Sequence, residues 1–246
     1  MAYTNLNKAK SAKNDEFYTQ YIDIEKEMSA YLEYNPNVFR DKTILLPCDD
    51  PEWSNFTKYF AQNFERFGLK KLISTSYAVE SKPYEIGYQA TLFEESAPQY
   101  DSDKTRTNGK IFTLTKDISG DGKIDVDDLE WQYLEGSGDF NSQEVKNLRD
   151  ESDIIITNPP FSLFREFLKW IIESKKQFTI IGNINAIPTK EVFPLIQNNV
   201  MWLGTGMGRW ISGFIVPKSY ELYGTEAKID KKGNRIIATN NCIWLT

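Results

Sequence analysis

The stretch Asp153-Ile154-Ile155-Ile156-Thr157-Asn158-Pro159-Pro160-Phe161 constrains this chain more than any other. Its isoleucine run reads as a buried β-strand, since a strand covered on both faces is apolar throughout. The run stops at a pair of prolines, which cannot donate to a sheet ladder. A polar group, Asn158, is therefore held at a strand's end. In open α/β sheets, ligands bind at that edge, outside the carboxyl ends of the strands.

Asn-Pro-Pro-aromatic suits methyl transfer to a planar amine. The lone pair of such a nitrogen is delocalised, and it becomes nucleophilic only when acceptors draw on its two N–H groups. Asn158 Oδ1 and the Pro159 carbonyl supply two acceptors, Pro160 stiffens the backbone, and Phe161 offers a ring on which a flat group can stack. No strong base is needed, and the chain has no histidine to provide a Ser-His or Cys-His pair. Asn and Pro are also ordinary turn residues, so the same stretch could simply end a strand and turn the chain.

With 246 residues and 40% hydrophobic content, the chain has material for one large α/β domain or a domain with an inserted lobe. No run approaches the roughly 18 apolar residues of a membrane span, and Met1 to Asn14 is polar and carries lysines, so a cytoplasmic protein is expected. Cys48 and Cys242 are too few for a disulfide framework and lack metal-ligand spacing. The net charge is −6, and Lys116 to Glu130 carries −4 of it, from six acids against Lys116 and Lys123. The remainder sums to only −2, which leaves room for a basic face at Lys8, Lys10 and Lys13 or at Lys228, Lys231, Lys232 and Arg235.

Taken in order, Phe17-Tyr18-Thr19 precedes a helix expected from Ile22 to Tyr34, and Thr43 to Leu46 reads as the first strand of the main sheet. Pro47-Cys48-Asp49-Asp50-Pro51 follows, in the first strand-to-helix loop, where a nucleotide-like cofactor sits in a doubly wound sheet. Neither a Gly-x-Gly-x-x-Gly nor a phosphate-binding Walker loop is present, and Asp49 and Asp50 read equally well as turn and cap residues. A helix from Phe56 to Phe67 closes at Gly68, and Lys71 to Tyr77 fits a second strand. Residues from about 80 to 136 break the rhythm and are expected to form an acidic insertion projecting from the sheet. Within it, Asp117, Ser119, Asp121, Lys123 (through its carbonyl), Asp125 and Asp128 match the spacing of a calcium-binding EF-hand loop over 117–128, with a helix expected from Val126 to Leu134. Gly138-Asp139-Phe140 leads into a short helix capped by Asn141. Beyond Phe161 a helix runs to Lys175, Phe178 to Ile181 forms a further strand, Lys190 to Gln197 a helix, and Met201–Leu203 and Ile211–Val216 closing strands around a glycine-rich loop.

In combination, Asn14-Asp-Glu-Phe-Tyr-Thr19, Pro47-Cys-Asp-Asp-Pro-Glu-Trp-Ser-Asn-Phe56, Gly138-Asp-Phe140 and Thr157-Asn-Pro-Pro-Phe-Ser-Leu-Phe-Arg165 resemble the EcoRI-type adenine-specific DNA methyltransferases. The resemblance implies a doubly wound, Rossmann-like sheet, mostly parallel with its last strand antiparallel, and one catalytic domain over residues 1–246. It implies S-adenosylmethionine as donor and the N6 amine of adenine in double-stranded DNA as acceptor, with the base flipped out of the duplex. Carried over residue by residue, it makes Asn158, Pro159, Pro160 and Phe161 catalytic. It places Phe17, Tyr18, Thr19, Pro47, Cys48, Asp49, Asp50, Pro51, Tyr77, Asp139 and Phe140 around the cofactor. Members of this family carry a DNA-reading region toward the C terminus, whereas only about 30 residues follow Pro217 here, so a short or missing recognition region, or a separate recognition subunit, is expected. Two other readings stay open: a methyltransferase acting on RNA or a protein glutamine amide, and a non-catalytic binding module that keeps the cofactor fold.

Overall fold

The structure is a computed structural model and describes residues 17–49, 54–78, 95, 97–208, 211–216, 222, 227–237 and 241–246. In chain order its principal elements are β1 (Tyr18–Thr19), α1 (Tyr21–Tyr34), β2 (Thr43–Leu46), α2 (Asn55–Gln62), β3 (Lys71–Thr75), β4 (Lys110–Leu114), β5 (Glu130–Tyr133), α3 (Gln143–Glu151) and β6 (Ile154–Thr157). They continue with α4 (Phe164–Ser174), β7 (Gln177–Asn183), β8 (Phe214–Val216), β9 (Lys228–Ile229), β10 (Arg235–Ile237) and β11 (Cys242–Leu245).

Seven strands form the main sheet in the order β11-β7-β6-β2-β3-β4-β5. Its centre is parallel, with β2 between β6 and β3, and β7 beyond β6. Both flanks are antiparallel: β11 on β7, and the pair β4–β5 on β3. Every residue of β2 and β6 is buried, and alternation sends their side chains to opposite faces. Ile44, Leu46, Ile154 and Ile156 meet Ile24 and Met28 of α1 and Phe56, Tyr59 and Phe60 of α2 on one face. Leu45 and Ile155 meet Phe164, Phe167, Leu168 and Ile171 of α4 on the other. Each fully buried isoleucine contributes about 1.5–3 kcal/mol relative to exposure, so a one-residue slip of β6 would exchange two packed faces at once. A second sheet, β1-β8-β10-β9, is antiparallel throughout.

The expected lobe projecting from the sheet is corrected for Lys110–Leu114 and Glu130–Tyr133, which continue the main sheet instead. Ile111, Phe112 and Leu114 are buried, and β4 satisfies the open edge of β3 from Leu72↔Leu114 to Thr75↔Ile111. Trp131 of β5 packs on Phe112, with ring centroids 6.3 Å apart, and Lys110 Nζ lies 5.6 Å from the centre of the Trp131 ring. Likewise, the helix expected at Val126–Leu134 is a single 3-10 turn, Val126–Asp128, followed by β5.

Smaller corrections have local causes. The helix after β2 breaks at Asn63 into Asn55–Gln62 and Phe64–Phe67, and Gly68 ends it in the left-handed conformation at φ +63°. The cap of α3 is Ser142, which accepts from the Val145 amide at 3.2 Å, rather than Asn141. Met201–Leu203 contributes only a bridge, Leu203 to Leu245, and Phe214–Val216 joins the second sheet. The antiparallel last strand of the main sheet is β11, whose four residues are all buried. Among the described residues, no helix is long and apolar enough to cross a membrane.

Candidate functional site

The parallel strands β2, β3, β6 and β7 end on one edge of the sheet, so Pro47-Cys48-Asp49, Ser76-Tyr77 and Asn158-Pro159-Pro160 share it. The antiparallel pair β4–β5 still serves this edge. β4 starts there, as Thr75↔Ile111 shows, and β5 ends there, as Lys110↔Tyr133 shows. The chain leaving β5 therefore brings Asp139 to the carboxyl end of β3. The Ala78 amide donates to the Ser137 carbonyl at 2.8 Å, and the Gly109 amide to the Gly136 carbonyl at 2.9 Å. A Cβ on Gly138, whose φ is +83°, would sit 2.3 Å from the Ser76 carbonyl oxygen, so only glycine admits this approach. Tyr77 and Asp139 are thus neighbours at one corner.

Residues 17–20 strap across the same edge. Tyr18 and Thr19 pair with Ile215 and Phe214, and Asn55 Nδ2 donates to the Thr19 carbonyl at 2.8 Å. Asn158 Nδ2 donates to the Phe17 carbonyl at 2.6 Å. That bond fixes the amide orientation, because a carbonyl can only accept. Asn158 Oδ1 then points the other way, buried, with no partner among the described residues. The Thr19 hydroxyl is likewise buried without a partner among the described residues. The half-buried ring of Phe161 lies 5.5 Å from that of Phe17 and 6.0 Å from that of Phe214.

A buried network underlies the edge. Asp49 Oδ1 accepts from Ser54 Oγ at 2.7 Å, and its Oδ2 lies 2.5 Å from Thr157 Oγ1. Ser54 also caps α2, accepting from the Phe56 amide at 3.1 Å. The Asp49 carbonyl accepts from Thr57 Oγ1 at 3.2 Å and from Ser74 Oγ, and the Cys48 amide donates to Thr75 Oγ1 at 3.4 Å. The Cys48 backbone adopts a positive φ of +66°, which folds the loop back over the strand ends.

Two acids of α1, Asp23 and Glu27, are fully buried and secure the chain that leads to β8. Asp23 Oδ2 accepts from the Ser212 amide at 2.9 Å and its hydroxyl at 2.8 Å, and burial raises the Asp23 pKa above the ordinary carboxylate range. Glu27 accepts from Tyr31 Oη at 2.5 Å, from the Thr205 amide at 2.9 Å and from the Thr205 hydroxyl at 2.5 Å. Burial and the neighbouring Glu27 charge push the Tyr31 pKa upward. A Cβ on Gly204 would lie 2.3 Å from Glu27 Oε1 and 2.5 Å from Trp244 Cβ, so close packing explains this glycine of the loop.

The structure brings together Asn158, Pro159, Pro160 and Phe161 with Phe17, Tyr18, Thr19, Pro47, Cys48, Asp49, Tyr77 and Asp139. Asp50 and Pro51 lie outside the described residues. The Phe140 ring is buried against Phe167 and Trp170, with centroids 5.1 and 5.9 Å away, so it anchors the Asp139 turn from below. The calcium expectation for Asp117, Ser119, Asp121, Lys123, Asp125 and Asp128 finds no support. Asp117 accepts from the Gly120 and Gly122 amides, Asp121 from Lys123, Asp125 from Asp127, and Asp128 from Ile118, Ser119 and Asp125. These carboxylates serve their own turn, and among the described residues no three acids gather where an ion could be held. Sequence reasoning missed Thr157, Ser54, Asp23 and Glu27. Ser54 was legible as a cap before an apolar helix. Asp23 and Glu27 stand four apart, each next to a core residue, Ile24 or Met28, a spacing that turns both inward.

Residues 5–246 match the family described as adenine-specific methyltransferase EcoRI. Over 241 residues the chain is 50% identical to the type II methyltransferase M.EcoRI of Escherichia coli, an alignment that covers 98% of this chain and 67% of that protein. It is 30% identical to the type II methyltransferase M.MpnI of Mycoplasma pneumoniae and 32% identical to M.MgeORF184P of Mycoplasma genitalium, covering 98% of this chain and 63% and 64% of those proteins. The chain thus spans about two thirds of the length of these curated relatives. No solved structure matches it.

Proposed function

Since this chain belongs to the family of EcoRI-type adenine-specific methyltransferases, we propose that it transfers a methyl group from S-adenosylmethionine to the N6 amine of an adenine flipped out of double-stranded DNA. One observation carries this reading: Asn158 Oδ1 is a buried acceptor without a partner among the described residues, aimed by the bond from its own Nδ2 to Phe17. A buried acceptor left open costs about 1–3 kcal/mol, a cost that a bound N–H donor relieves.

In this reading Asn158 Oδ1 accepts one N6–H and the Pro159 carbonyl the other. Phe161, backed by Phe17 and Phe214, stacks on the base and holds the nitrogen in line. Both acceptors strengthen as positive charge develops on the nitrogen, so they favour the transition state over the bound amine. Once the nitrogen carries the methyl group it is strongly acidic and would give up its proton to solvent water, so no basic side chain is required.

The edge also fits the donor. The Thr19 hydroxyl, buried and without a partner among the described residues, calls for a polar ligand atom, and Tyr18, Cys48, Tyr77 and Asp139 surround the same edge. When bound there, S-adenosylmethionine supplies an electrophilic methyl group on a positively charged sulfur. Asp139 would receive the adenine amine of the cofactor, while residues 17–19 would close over it.

The test is transfer of labelled methyl from S-adenosylmethionine to unmethylated duplex DNA, followed by digestion to nucleosides. Label in N6-methyladenine is the expected result. Cofactor binding with no label in DNA, and label in RNA or protein when these are offered in parallel reactions, would overturn the DNA assignment.

A further inference from the structure

Thr157 is fully buried at the last position of β6, directly before Asn158. Its hydroxyl lies 2.7 Å from the Pro47 carbonyl oxygen and 2.5 Å from Asp49 Oδ2, so one O–H faces two acceptors on the loop that follows β2. The other oxygen of Asp49 is engaged by Ser54, which starts α2, and the Asp49 carbonyl by Thr57 of α2 and Ser74 of β3. Thr57 and Ser74 also share a hydrogen bond of 3.0 Å. Three strand ends and one helix start are thereby tied into a single buried cluster, and Asn158 extends from it by one peptide unit.

Sheet pairing alone leaves this end of β6 loose on the β2 side, because the register between β2 and β6 covers only Ile44↔Ile154 and Leu45↔Ile155. The Thr157 hydroxyl therefore takes over where the ladder stops. We infer that Thr157 is a positioning residue. Its hydroxyl fixes the Asn158–Pro159 backbone to the loop after β2, and Asp49 acts by holding that hydroxyl and the α2 cap rather than by binding the cofactor. The inference rests on the proposed methyltransferase reading for its kinetic consequence, and on geometry alone for its structural one.

The experiment compares Thr157→Val, which keeps the shape and removes the hydroxyl, with Thr157→Ser, which restores it. Both are measured beside the unaltered chain for kcat, S-adenosylmethionine affinity, melting, and the 15N-resolved side-chain amide of Asn158, assigned through Asn158→Ala. Thr157→Val is expected to lower kcat roughly 10- to 100-fold, since misplacement by about 1 Å at a reacting centre has that effect. Cofactor affinity should change less than about threefold, because no cofactor contact is removed. The Asn158 amide signal should shift or broaden, and Thr157→Ser should recover most of the rate and the signal. An unmoved Asn158 amide in folded Thr157→Val overturns the inference whether or not DNA proves to be the substrate. So does an effect confined to cofactor affinity. If Thr157→Val fails to fold, Asp49→Asn supplies the decision, because the inference requires it to disturb the same amide signal. An unaltered chain that binds cofactor but never methylates adenine sinks the functional reading and leaves the amide result standing.

Discussion

Replacing Asn158 with Ala should leave the protein almost as stable as before while stopping methyl transfer. In the folded chain the side chain makes one hydrogen bond, Nδ2 to the Phe17 carbonyl at 2.6 Å, and buries one acceptor, Oδ1, that finds no partner among the described residues. Truncation removes that orphan, which costs about 1–3 kcal/mol, and loses a bond to the Phe17 carbonyl of about 0.5–1.5 kcal/mol. The two terms oppose each other, so any net loss of stability is about 1 kcal/mol or less. In a protein of this size that is roughly 2–4 °C in Tm. Transfer loses an acceptor whose bond strengthens in the transition state, and removing one such preorganised partner costs about 10²–10³ in rate. Thermal melting and single-turnover transfer of labelled methyl, run on the same sample, separate the two effects. A fall in Tm of ten degrees or more with transfer lost in proportion would refute the reasoning, because Asn158 would then be a structural residue whose Oδ1 is satisfied. Transfer at the unaltered rate would refute it equally.

Other expectations follow from specific contacts. Gly138→Ala adds a left-handed Ala, at about 1–2 kcal/mol, and a Cβ 2.3 Å from the Ser76 carbonyl, so it should lower Tm by several degrees and weaken cofactor binding at the Asp139 corner; an unchanged melt would show that the turn can relax. Glu27→Ala leaves Tyr31 and Thr205 without their shared acceptor and should destabilise by on the order of 3 kcal/mol in urea titration; a loss under about 1 kcal/mol would mean that solvent replaces the carboxylate. Backbone amides of Ser119, Asp125 and Ile118 hold the Asp128 carboxyl down to about 2, below its value in an unfolded chain. Its contribution is therefore complete at neutral pH and fades as pH falls from about 4 toward 2, so Asp128→Asn should lower Tm at pH 7 and narrow the gap to the unaltered chain as acid is added. A gap independent of pH would assign the effect to something other than titration.

Much of the sheet's centre could be read from local pattern. Strands covered on both faces, such as Ile154–Thr157 and Thr43–Leu46, carry unbroken apolar runs, Ile154–Ile156 and Ile44–Leu46, and the prolines after Asn158 mark where the ladder must end. Edge structure was harder to read. Val126, Leu129 and Tyr133 happen to fall at helical spacing, while the pairing with β4 that makes Glu130–Tyr133 a strand depends on residues about 20 positions away. The acidic loop shows a different limit. Its spacing matched ion ligands, but Asp, Ser and Gly at those positions also satisfy one another's backbone in a tight turn, and that is the use found here. At the site itself, the sequence made Asn158 and Phe161 conspicuous and hid Thr157, because a threonine ending a strand is unremarkable until the opposing carbonyl and carboxylate are in place.

The strap of residues 17–20 finds its partners far along the chain: Asn158 lies 141 positions from Phe17, and Ser212 and Gly213 lie 192 and 193 positions from Gln20. Contacts of such separation form late, because loop closure must precede any reward. During synthesis the strap, made well before β8, would wait until that strand had emerged, and only then would the amide of Asn158 acquire its orientation. Competence for transfer would therefore arrive at the close of folding, and a nascent chain would be unable to modify a base before its fold was complete.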